Sequence, residues 1–277
     1  MEILLETLLD NLKIFPFLFI TYIFLEYIEH KTATKTINII SKAEAGEPII
    51  GSLCGILPQC GFSAAAANFY AARVISLGTL IAIFLSTSDE MLPILISHAV
   101  SWQFICFILI YKVCYAIILG YIINFVWHKY HHRDPIDIEK LCENENCHCE
   151  NSIIRPALHH SLRITVFIFM FTLVLNYLMS YINIRSLTTF LQIPLAGEFF
   201  SGIIGLIPNC SASVILTQLF LDDYINIGTL MCGSLVSGGV GILVLFRVNR
   251  HLKENLIIIS LLYVCGIVGG LLSHLIL

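Results

Sequence analysis

The sequence predicts an all-α integral membrane protein built from two inverted-topology repeats, each with a re-entrant hairpin and a discontinuous helix. Three observations predict this fold: an apolar composition, an internal repeat, and an opposite placement of Lys and Arg in the two repeats. Hydrophobic residues make up 57% of the chain and charged residues only 12%. Soluble proteins carry about 25% charged residues. A soluble domain is therefore excluded, and the mean hydropathy of +0.86 agrees.

Long apolar segments account for this composition. They cover residues 12–28, 75–85, 104–126, 164–181 and 256–277, and several approach the roughly 20 helical residues needed to span a hydrocarbon core of about 30 Å. The N-terminus is acidic (Glu2, Glu6, Asp10), whereas a signal peptide requires a basic n-region. We therefore expect the first apolar segment to be retained as a transmembrane helix.

A shift of 150 positions places the sequence on itself. Residues 55–63, Gly-Ile-Leu-Pro-Gln-Cys-Gly-Phe-Ser, fall on residues 205–213, Gly-Leu-Ile-Pro-Asn-Cys-Ser-Ala-Ser. Without a gap, Ile-Ser-Leu-Gly-Thr-Leu at 75–80 falls on Ile-Asn-Ile-Gly-Thr-Leu at 225–230. Chance similarity between apolar segments does not explain coinciding Pro, Cys, Gly and Thr. The pattern predicts repeat 1 in residues 1–127, a polar insert in 128–161 and repeat 2 in 162–277.

The placement of Lys and Arg predicts that the repeats are inverted, because short cytoplasmic loops are enriched in these residues. The loop after the first helix is basic, and its counterpart in repeat 2, residues 183–194, has only Arg185. Conversely, repeat 2 has a basic loop at Arg247, Arg250 and Lys253, and its counterpart at 97–103 has neither Lys nor Arg. We expect a multi-pass protein of the cell (inner) membrane, with the insert cytoplasmic and both termini outside.

Two interruptions recur in each repeat. Pro58 and Pro208 divide short apolar segments, and proline removes a helical hydrogen bond. Such breaks are tolerated at membrane depth only where they are buried in protein or line a cavity. We interpret residues 49–70 and 199–219 as re-entrant hairpins. The second pair, Ser-Thr-Ser-Asp-Glu at 86–90 and Ser-Gly-Gly-Val-Gly at 237–241, predicts discontinuous helices, and paired interruptions indicate a transport site.

These motifs also carry a family resemblance. The paired Leu-Pro-Gln-Cys-Gly-Phe-Ser and Ile-Pro-Asn-Cys-Ser-Ala-Ser segments, with a His/Cys-rich central loop in a chain of this size, resemble the ten-helix heavy-metal exporter family. That family is also described as arsenic-efflux-like or as a manganese transporter family. The resemblance covers nearly the whole chain and implies efflux of a metal or metalloid. Each repeat has three full crossings and one hairpin. This gives ten helices only if the limbs of the hairpins or of the broken helices are counted as separate helices.

The hairpin tips carry the first candidate substrate ligands. Cys60 and Cys210 would each supply a thiolate, a soft ligand for Zn, Cu(I) and other thiophilic ions. The neighbouring amides and hydroxyls would add neutral oxygens from Gln59, Asn209, Ser63 and Ser213. The alternative is that both cysteines pack at a crowded helix crossing, since free Cys is among the most buried residue types.

Charged residues at membrane depth are the second group of candidates. Asp89 and Glu90 fall at the first helix break, where an acidic side chain costs about 2.5–3.5 kcal/mol on insertion scales. They would bind the transported cation, unless the break reaches the interface and both are solvated. Lys112 would balance Asp89 or Glu90 when no cation is bound, or would snorkel. Glu26 would add charge balance or be solvated near the end of its helix.

The insert contains a third candidate. Its Cys-x4-Cys-His-Cys run consists of Cys142, Cys147, His148 and Cys149. This run would capture or sense metal loosely, because it lacks the Cys-x2-Cys pairs of structural zinc modules. The alternative is a disordered polar linker. Disulfides are not expected on the cytoplasmic side.

Together these features predict a secondary transporter that exports a heavy-metal or divalent cation, or a metalloid, by ion-coupled alternating access. No Walker A pattern occurs, so this chain alone does not hydrolyse ATP. The alternatives are an intramembrane metal-dependent enzyme using Asp89, Glu90 and His98, or a transporter of a small organic or anionic solute. We expect no enzyme activity, no cofactor apart from the transported ion, and no nucleic-acid partner. The partners are an inorganic ion and the bilayer, and a homo-oligomer is left open.

Overall fold

The structure is a computed structural model. It describes residues 7–9, 11–12, 15–16, 18–20, 22–23, 46–57, 60–88, 90–130, 154–179, 191 and 196–276. Within these ranges every regular element is a helix, which agrees with the predicted all-α class. The described residues between 7 and 23 are helical and form the N-terminal helical segment.

The remaining helices are numbered here in chain order. In the first half of the chain they are α1 (Glu47–Gly55), α2 (Cys60–Ala71), α3 (Leu77–Ser86), α4 (Met91–Ser97) and α5 (Trp102–Tyr130). The later helices are α6 (Ile154–Met179), α7 (Ala196–Gly205), α8 (Cys210–Leu221), α9 (Ile227–Val236), α10 (Val240–Val248) and α11 (Leu252–Ile276).

Five stretches of the described chain are long and apolar enough to cross a membrane. They are Leu77–Ser97, Trp102–Lys129, Ala157–Val174, Ile227–Val248 and Leu252–His274. The first contains α3 and α4 and the fourth contains α9 and α10, so both are interrupted. In contrast, α2 and α8 have 12 residues each. At 1.5 Å per residue each is about 18 Å long, shorter than a hydrocarbon core of about 30 Å.

The helix bounds recur at the spacing found in the sequence. A shift of 150 positions places α2 on α8 and α3 on α9 with identical bounds, and α5 and α11 then begin at equivalent positions. The caps recur as well. Ser76 caps α3, where its Oγ accepts from the Thr79 amide at 3.3 Å. Asn226 caps α9, where its Oδ1 accepts from the Thr229 amide at 2.7 Å.

Packing between helices follows the same register. Helices α1, α3 and α5 pack on one another, and α7, α9 and α11 do the same. Across the two halves, α2 packs on α10 and α8 packs on α4, while α3 contacts α9. The second limb of each broken helix, α4 or α10, therefore packs on a short helix of the other half, α8 or α2. The largest buried apolar cluster includes Phe84 and Leu85 of α3 and Val244 and Leu245 of α10.

Glycines permit a close helix crossing in each half. A Cβ on Gly78 of α3 would lie 2.1 Å from the carbonyl oxygen of Gly120 on α5. At the equivalent positions of the other half, a Cβ on Gly270 of α11 would lie 2.9 Å from the carbonyl oxygen of Gly228 on α9. Small residues let membrane helices approach closely, so both pairs hold a long helix against a broken one.

One end of the helix bundle gathers the basic turns. Arg73, in the turn after α2, donates to both carboxylate oxygens of Glu254 at the start of α11, at 2.6 and 3.0 Å. These hydrogen bonds raise the pKa of the Arg73 guanidinium, so it stays charged. On the same end, Arg247 of α10 lies over the Phe167 ring of α6 at 5.6 Å. The turn after α2 therefore lies beside the start of α11 at this end of the bundle.

Candidate functional site

The first helix break is buried and rich in hydroxyl groups. Helix α3 ends at Ser86, and Ser86, Thr87 and Ser88 are all buried. The Thr87 amide donates to the carbonyls of Ile83 and Phe84. Its hydroxyl also donates to the Ile83 carbonyl, at 2.7 Å. The helix therefore ends inside the protein, with its last carbonyl oxygens directed into the break.

The second break is formed by Ser237, Gly238 and Gly239. Gly239 adopts a φ of 51°, a left-handed conformation that glycine tolerates. A Cβ on Gly238 would lie 3.4 Å from the ring of Phe84 on α3. The two breaks therefore lie close to each other. The Ser237 hydroxyl is buried without a hydrogen-bond partner, so the second break holds an unsatisfied polar group.

Lys112 joins the two breaks. Its side chain is completely buried on α5. Its Nζ donates to the carbonyl oxygen of Thr87, and to the carbonyl and Oγ of Ser234 on α9 at 3.1 and 2.7 Å. The Ser234 hydroxyl in turn donates to Met91 Sδ, at 3.3 Å, at the start of α4. One ammonium thus contacts the ends of a broken helix from each half.

The electrostatics at this point favour a cation. Thr87 is the C-cap of α3, and Ser234 lies in the last turn of α9. Helix C-termini carry a partial negative charge and unsatisfied carbonyl groups. Two such ends converge on the Lys112 ammonium. The position between the breaks therefore suits a positive charge supplied either by this side chain or by an ion.

The tip between α7 and α8 forms hydrogen bonds with Asn176 of α6. Asn209 is buried and caps α8, where its Oδ1 accepts from the Ser211 amide at 3.3 Å. Its Nδ2 donates to Asn176 Oδ1 on α6 at 2.5 Å, and the Ser211 hydroxyl donates to the same oxygen at 3.2 Å. Cys210 is half-buried, and Ser213 is buried. The predicted amide, thiol and hydroxyl therefore share one helix start.

Further polar side chains continue from this tip toward the N-terminal helical segment. Asn176 Nδ2 donates to Thr7 Oγ1 at 2.8 Å. Asn11 Nδ2 donates to the Thr7 carbonyl at 2.8 Å and to Thr172 Oγ1 at 3.4 Å. The Asn11 Oδ1 atom is buried without a hydrogen-bond partner. A buried polar atom without a hydrogen bond is costly, so the Asn11 Oδ1 atom extends the candidate site toward the N-terminal helical segment.

The first tip is described in part. Cys60 begins α2 and Ser63, one turn later, is fully buried. A Cβ on Gly241 of α10 would lie 2.7 Å from the Ser63 backbone and Cβ, so this serine lies at the crossing between the two halves. Gln59 is outside the described residues.

Of the acidic candidates, Glu90 lies within the described residues. Glu90 occupies the N-cap position of α4, is half-buried, and makes no side-chain capping hydrogen bond. His98 is exposed at the other end of α4. Asp89 and Glu26 lie outside the described residues, so pairing of Lys112 with Asp89 stays a prediction. The insert residues Cys142, Cys147, His148 and Cys149 also lie outside them. In the described part of the chain, no three His, Cys, Asp or Glu side chains form a metal-binding group.

Sequence reasoning missed Ser234, Asn176 and Glu198. Ser234 carries no charge and lies in an apolar run, so only the folded structure shows its contact with Lys112. A signal for Asn176 existed, because the shift of 150 positions places it on Glu26. Glu198, a buried acid at the start of α7, was detectable as an acidic residue beside the predicted hairpin.

Comparison with known proteins adds a family. A family model described as "Putative, 10TM heavy-metal exporter" matches residues 1–160 of the 277-residue chain. The matched region contains α1–α5, and with them the first tip, the first break and Lys112. No curated protein and no solved structure matches the chain.

Proposed function

The chain belongs to the family described as "Putative, 10TM heavy-metal exporter", and we propose that it exports a heavy-metal or divalent cation by alternating access coupled to another ion. It is a multi-pass membrane protein, with five described stretches long and apolar enough to cross a membrane. The observation that carries the proposal is the meeting of two buried helix breaks at the Lys112 ammonium.

The proposed cation site lies between the breaks and the tips. Carbonyls at the ends of α3 and α9 would coordinate the ion, as half-helix C-termini do in other transporters. Cys60 and Cys210 would supply soft ligands, with Gln59, Asn209, Ser63 and Ser213 as neutral donors. Asp89 and Glu90 would add negative charge. Thiols must lose their protons to bind metal, so metal binding would strengthen as pH rises.

In this mechanism Lys112 holds the site when no metal is bound. Its ammonium already contacts the three oxygens that a cation at this position would use. A bound cation would repel it and displace it from these oxygens. Because the empty site keeps a positive charge, these three oxygens stay satisfied in both states. Glu26 is kept as a second candidate for charge balance.

We further propose that the two repeats have inverted topology and that α1–α2 and α7–α8 are re-entrant hairpins. Support comes from the shared helix bounds, the reciprocal contacts of α2 with α10 and α8 with α4, and the short length of these helices. A rotation of one half against the other would then open the site to alternate faces.

A metalloid or another small anion is the second candidate substrate. The observation that favours it is the same buried ammonium, since Lys112 would pair with an anion as readily as it would yield to a cation. The start of α8, with the Asn209 and Ser211 donors, would also suit a negative charge because helix N-termini attract anions.

Transport into proteoliposomes separates these substrates. The variants are Cys60→Ser, Cys210→Ser and Asp89→Asn, with Cys106→Ser, an exposed cysteine on α5, as the matched control. Loss of a ligand should slow cation transport by about tenfold or more, with the control unchanged. If all three variants carry every tested metal at the wild-type rate, the cation site is wrong. If only the cysteine variants fail, and only for arsenite, the metalloid is the substrate.

A further inference from the structure

A second buried polar site lies at the opposite end of the bundle from the basic turns. Glu198, at the start of α7, has a side chain that is only 3% exposed. Its Oε1 lies 3.5 Å from Nε2 of His274 at the end of α11. Its Oε2 is buried and has no hydrogen-bond partner. An unsatisfied carboxylate oxygen in an apolar interior costs several kcal/mol, so this group requires a ligand.

A neighbouring hydroxyl is unsatisfied as well. Thr229, at the start of α9, is buried and its Oγ1 has no hydrogen-bond partner. A Cβ on Gly197, next to Glu198, would lie 3.2 Å from this oxygen. Two orphan oxygens, one carboxylate and one hydroxyl, therefore occur on adjoining helix starts.

The ionisable groups near Glu198 are few in the described residues. The Cys232 thiol of α9 donates to the Glu198 carbonyl at 3.0 Å, and the Tyr263 hydroxyl of α11 donates to the neighbouring Phe199 carbonyl at 3.1 Å. Neither contacts the carboxylate. The other ionisable groups of the helices packed against α7 lie elsewhere along them: Cys210 at the start of α8, and Lys253, Glu254 and Cys265 on α11. His274 is the ionisable side chain that lies beside the carboxylate.

A buried glutamate in the other half is satisfied, and the shift of 150 positions places it on Gly197, one residue before Glu198. There Glu47 Oε2 accepts from the Ser76 amide at 3.1 Å and from the Thr79 hydroxyl at 3.2 Å. Asn124 stands where His274 stands after the shift of 150 positions, and its Oδ1 accepts from the Gly78 amide at 2.8 Å. Thr79 and Thr229 are equivalent, as are Asn124 and His274, and each half has a buried glutamate near the threonine at positions that differ by one residue. In the first half the glutamate is hydrogen-bonded. In the second half Glu198 Oε2 and Thr229 Oγ1 have no hydrogen-bond partner, and a histidine replaces the asparagine.

We propose that Glu198 and His274 form a proton-binding site that takes up the coupling proton at this face of the membrane. The His274 side chain is 45% exposed at the last residue of the apolar stretch Leu252–His274, whereas the Glu198 side chain is buried. A proton would pass from protonated His274 Nε2 to the Glu198 carboxylate and leave a neutral imidazole, which is reprotonated from water. The new carboxyl O–H is a donor that the buried site lacks in the ionised state. Only the use of this proton in transport rests on the proposed function.

Proton binding is measurable apart from transport. Infrared difference spectra of the purified full-length protein, recorded between acidic and basic pH, report protonated carboxyl groups directly. Glu198→Gln should remove one titrating carboxyl band, and Glu47→Gln, at the hydrogen-bonded glutamate of the first half, should leave that band. His274→Asn, which installs the residue of the first half, should keep the band and displace its titration midpoint, because the imidazole is removed. Thermal unfolding checks that each variant is folded.

Transport then links this proton to export. In proteoliposomes, Glu198→Gln should lose most metal flux driven by a pH gradient and retain metal–metal exchange, which needs no net proton movement. If folded Glu198→Gln keeps every titrating band, or if its band is present at all pH values, the proton site is wrong. If the wild-type band titrates but no metal moves under any condition, the proton site stands and the export proposal fails.

Discussion

Lys112 shows how a single charged residue is accommodated at membrane depth. A lysine at the centre of a membrane helix costs about 2.5–3.5 kcal/mol on insertion scales. Here the ammonium is completely buried and donates to oxygens of Thr87 and Ser234. The charge is stabilised by the ends of two helices, and its location at their junction is what gives it a role in transport.

Substituting Lys112 tests this contact. In Lys112→Met the carbonyls of Thr87 and Ser234 lose their buried donor, and each unsatisfied acceptor costs about 1–3 kcal/mol. We expect a clearly lower unfolding temperature in detergent. Lys129→Met, at the exposed end of the same helix, is the matched control and should be unchanged. Equal unfolding temperatures for both variants would contradict the proposed bridging role.

The sequence singled out Lys112 but not the carbonyl and hydroxyl oxygens that its ammonium contacts, and its pairing with Asp89 stays a prediction. Its depth within an apolar helix was enough to predict a need for a counter-charge, and the acids Asp89 and Glu90 were the expected sources. The observed acceptors are a carbonyl 25 positions away and a serine 122 positions away. Carbonyl groups are invisible in a sequence pattern, because every residue has one and only the helix break makes it available.

Asn176 is the residue on which the tip of α8 depends. It accepts hydrogen bonds from Asn209 and Ser211 and donates to Thr7. Asn176→Leu should therefore lower the unfolding temperature and weaken transport, since two donors at the tip lose their acceptor. Val174→Leu, at an exposed position two residues earlier on the same helix, is the control. Wild-type stability and flux in Asn176→Leu would show that this contact is dispensable.

At the scale of helices, the positions of the helix breaks were easier to predict than which helices pack against each other. Pro208 and the Ser-Gly-Gly run marked the interruptions, and the structure has α7 end at Gly205 and α9 end at Val236. What the sequence left undetermined was the pairing of the limbs. The contacts of α2 with α10 and of α4 with α8 join segments about 120 to 180 positions apart, and nothing local in either segment specifies its partner.

The orientation of the hairpins gives a prediction for these elements. If each hairpin returns to its starting side, the turn after α8 faces outside. An impermeant thiol reagent applied to intact cells should label Asp223→Cys above the level of the parent protein. It should not label Asp137→Cys, in the insert, until the membrane is permeabilised. The reverse pattern would show that the inverted topology is wrong.

At the scale of the whole molecule, the repeat was the most informative sequence feature. A register derived from Pro, Cys, Gly and Thr coincidences reappears in the bounds of α2 with α8 and of α3 with α9. It also exposes where the halves differ. Asn124 and His274 occupy equivalent positions, as do Thr79, which donates to Glu47, and Thr229, whose Oγ1 has no hydrogen-bond partner. At these positions the two halves therefore offer different polar and ionisable groups.

The insert is expected to modulate transport without forming its pathway. It has no counterpart elsewhere in the repeat, and its charges exclude it from lipid. Replacing Cys142, Cys147 and Cys149 with Ser should leave transport at saturating metal within about twofold of wild type, because these thiols are not transport ligands. Flux normalised to expression is the measurement. Complete loss of flux with normal expression would move the metal pathway into the insert.

The central claim is that the protein moves a metal ion across a membrane, and flux by the purified wild-type chain tests it most directly. Proteoliposomes and protein-free liposomes would be compared for Mn, Zn, Fe, Cu and arsenite, with and without a pH gradient. The account predicts saturable movement of at least one metal cation that a pH gradient accelerates. No protein-dependent flux of any of these ions, from protein whose unfolding transition shows it to be folded, would contradict it.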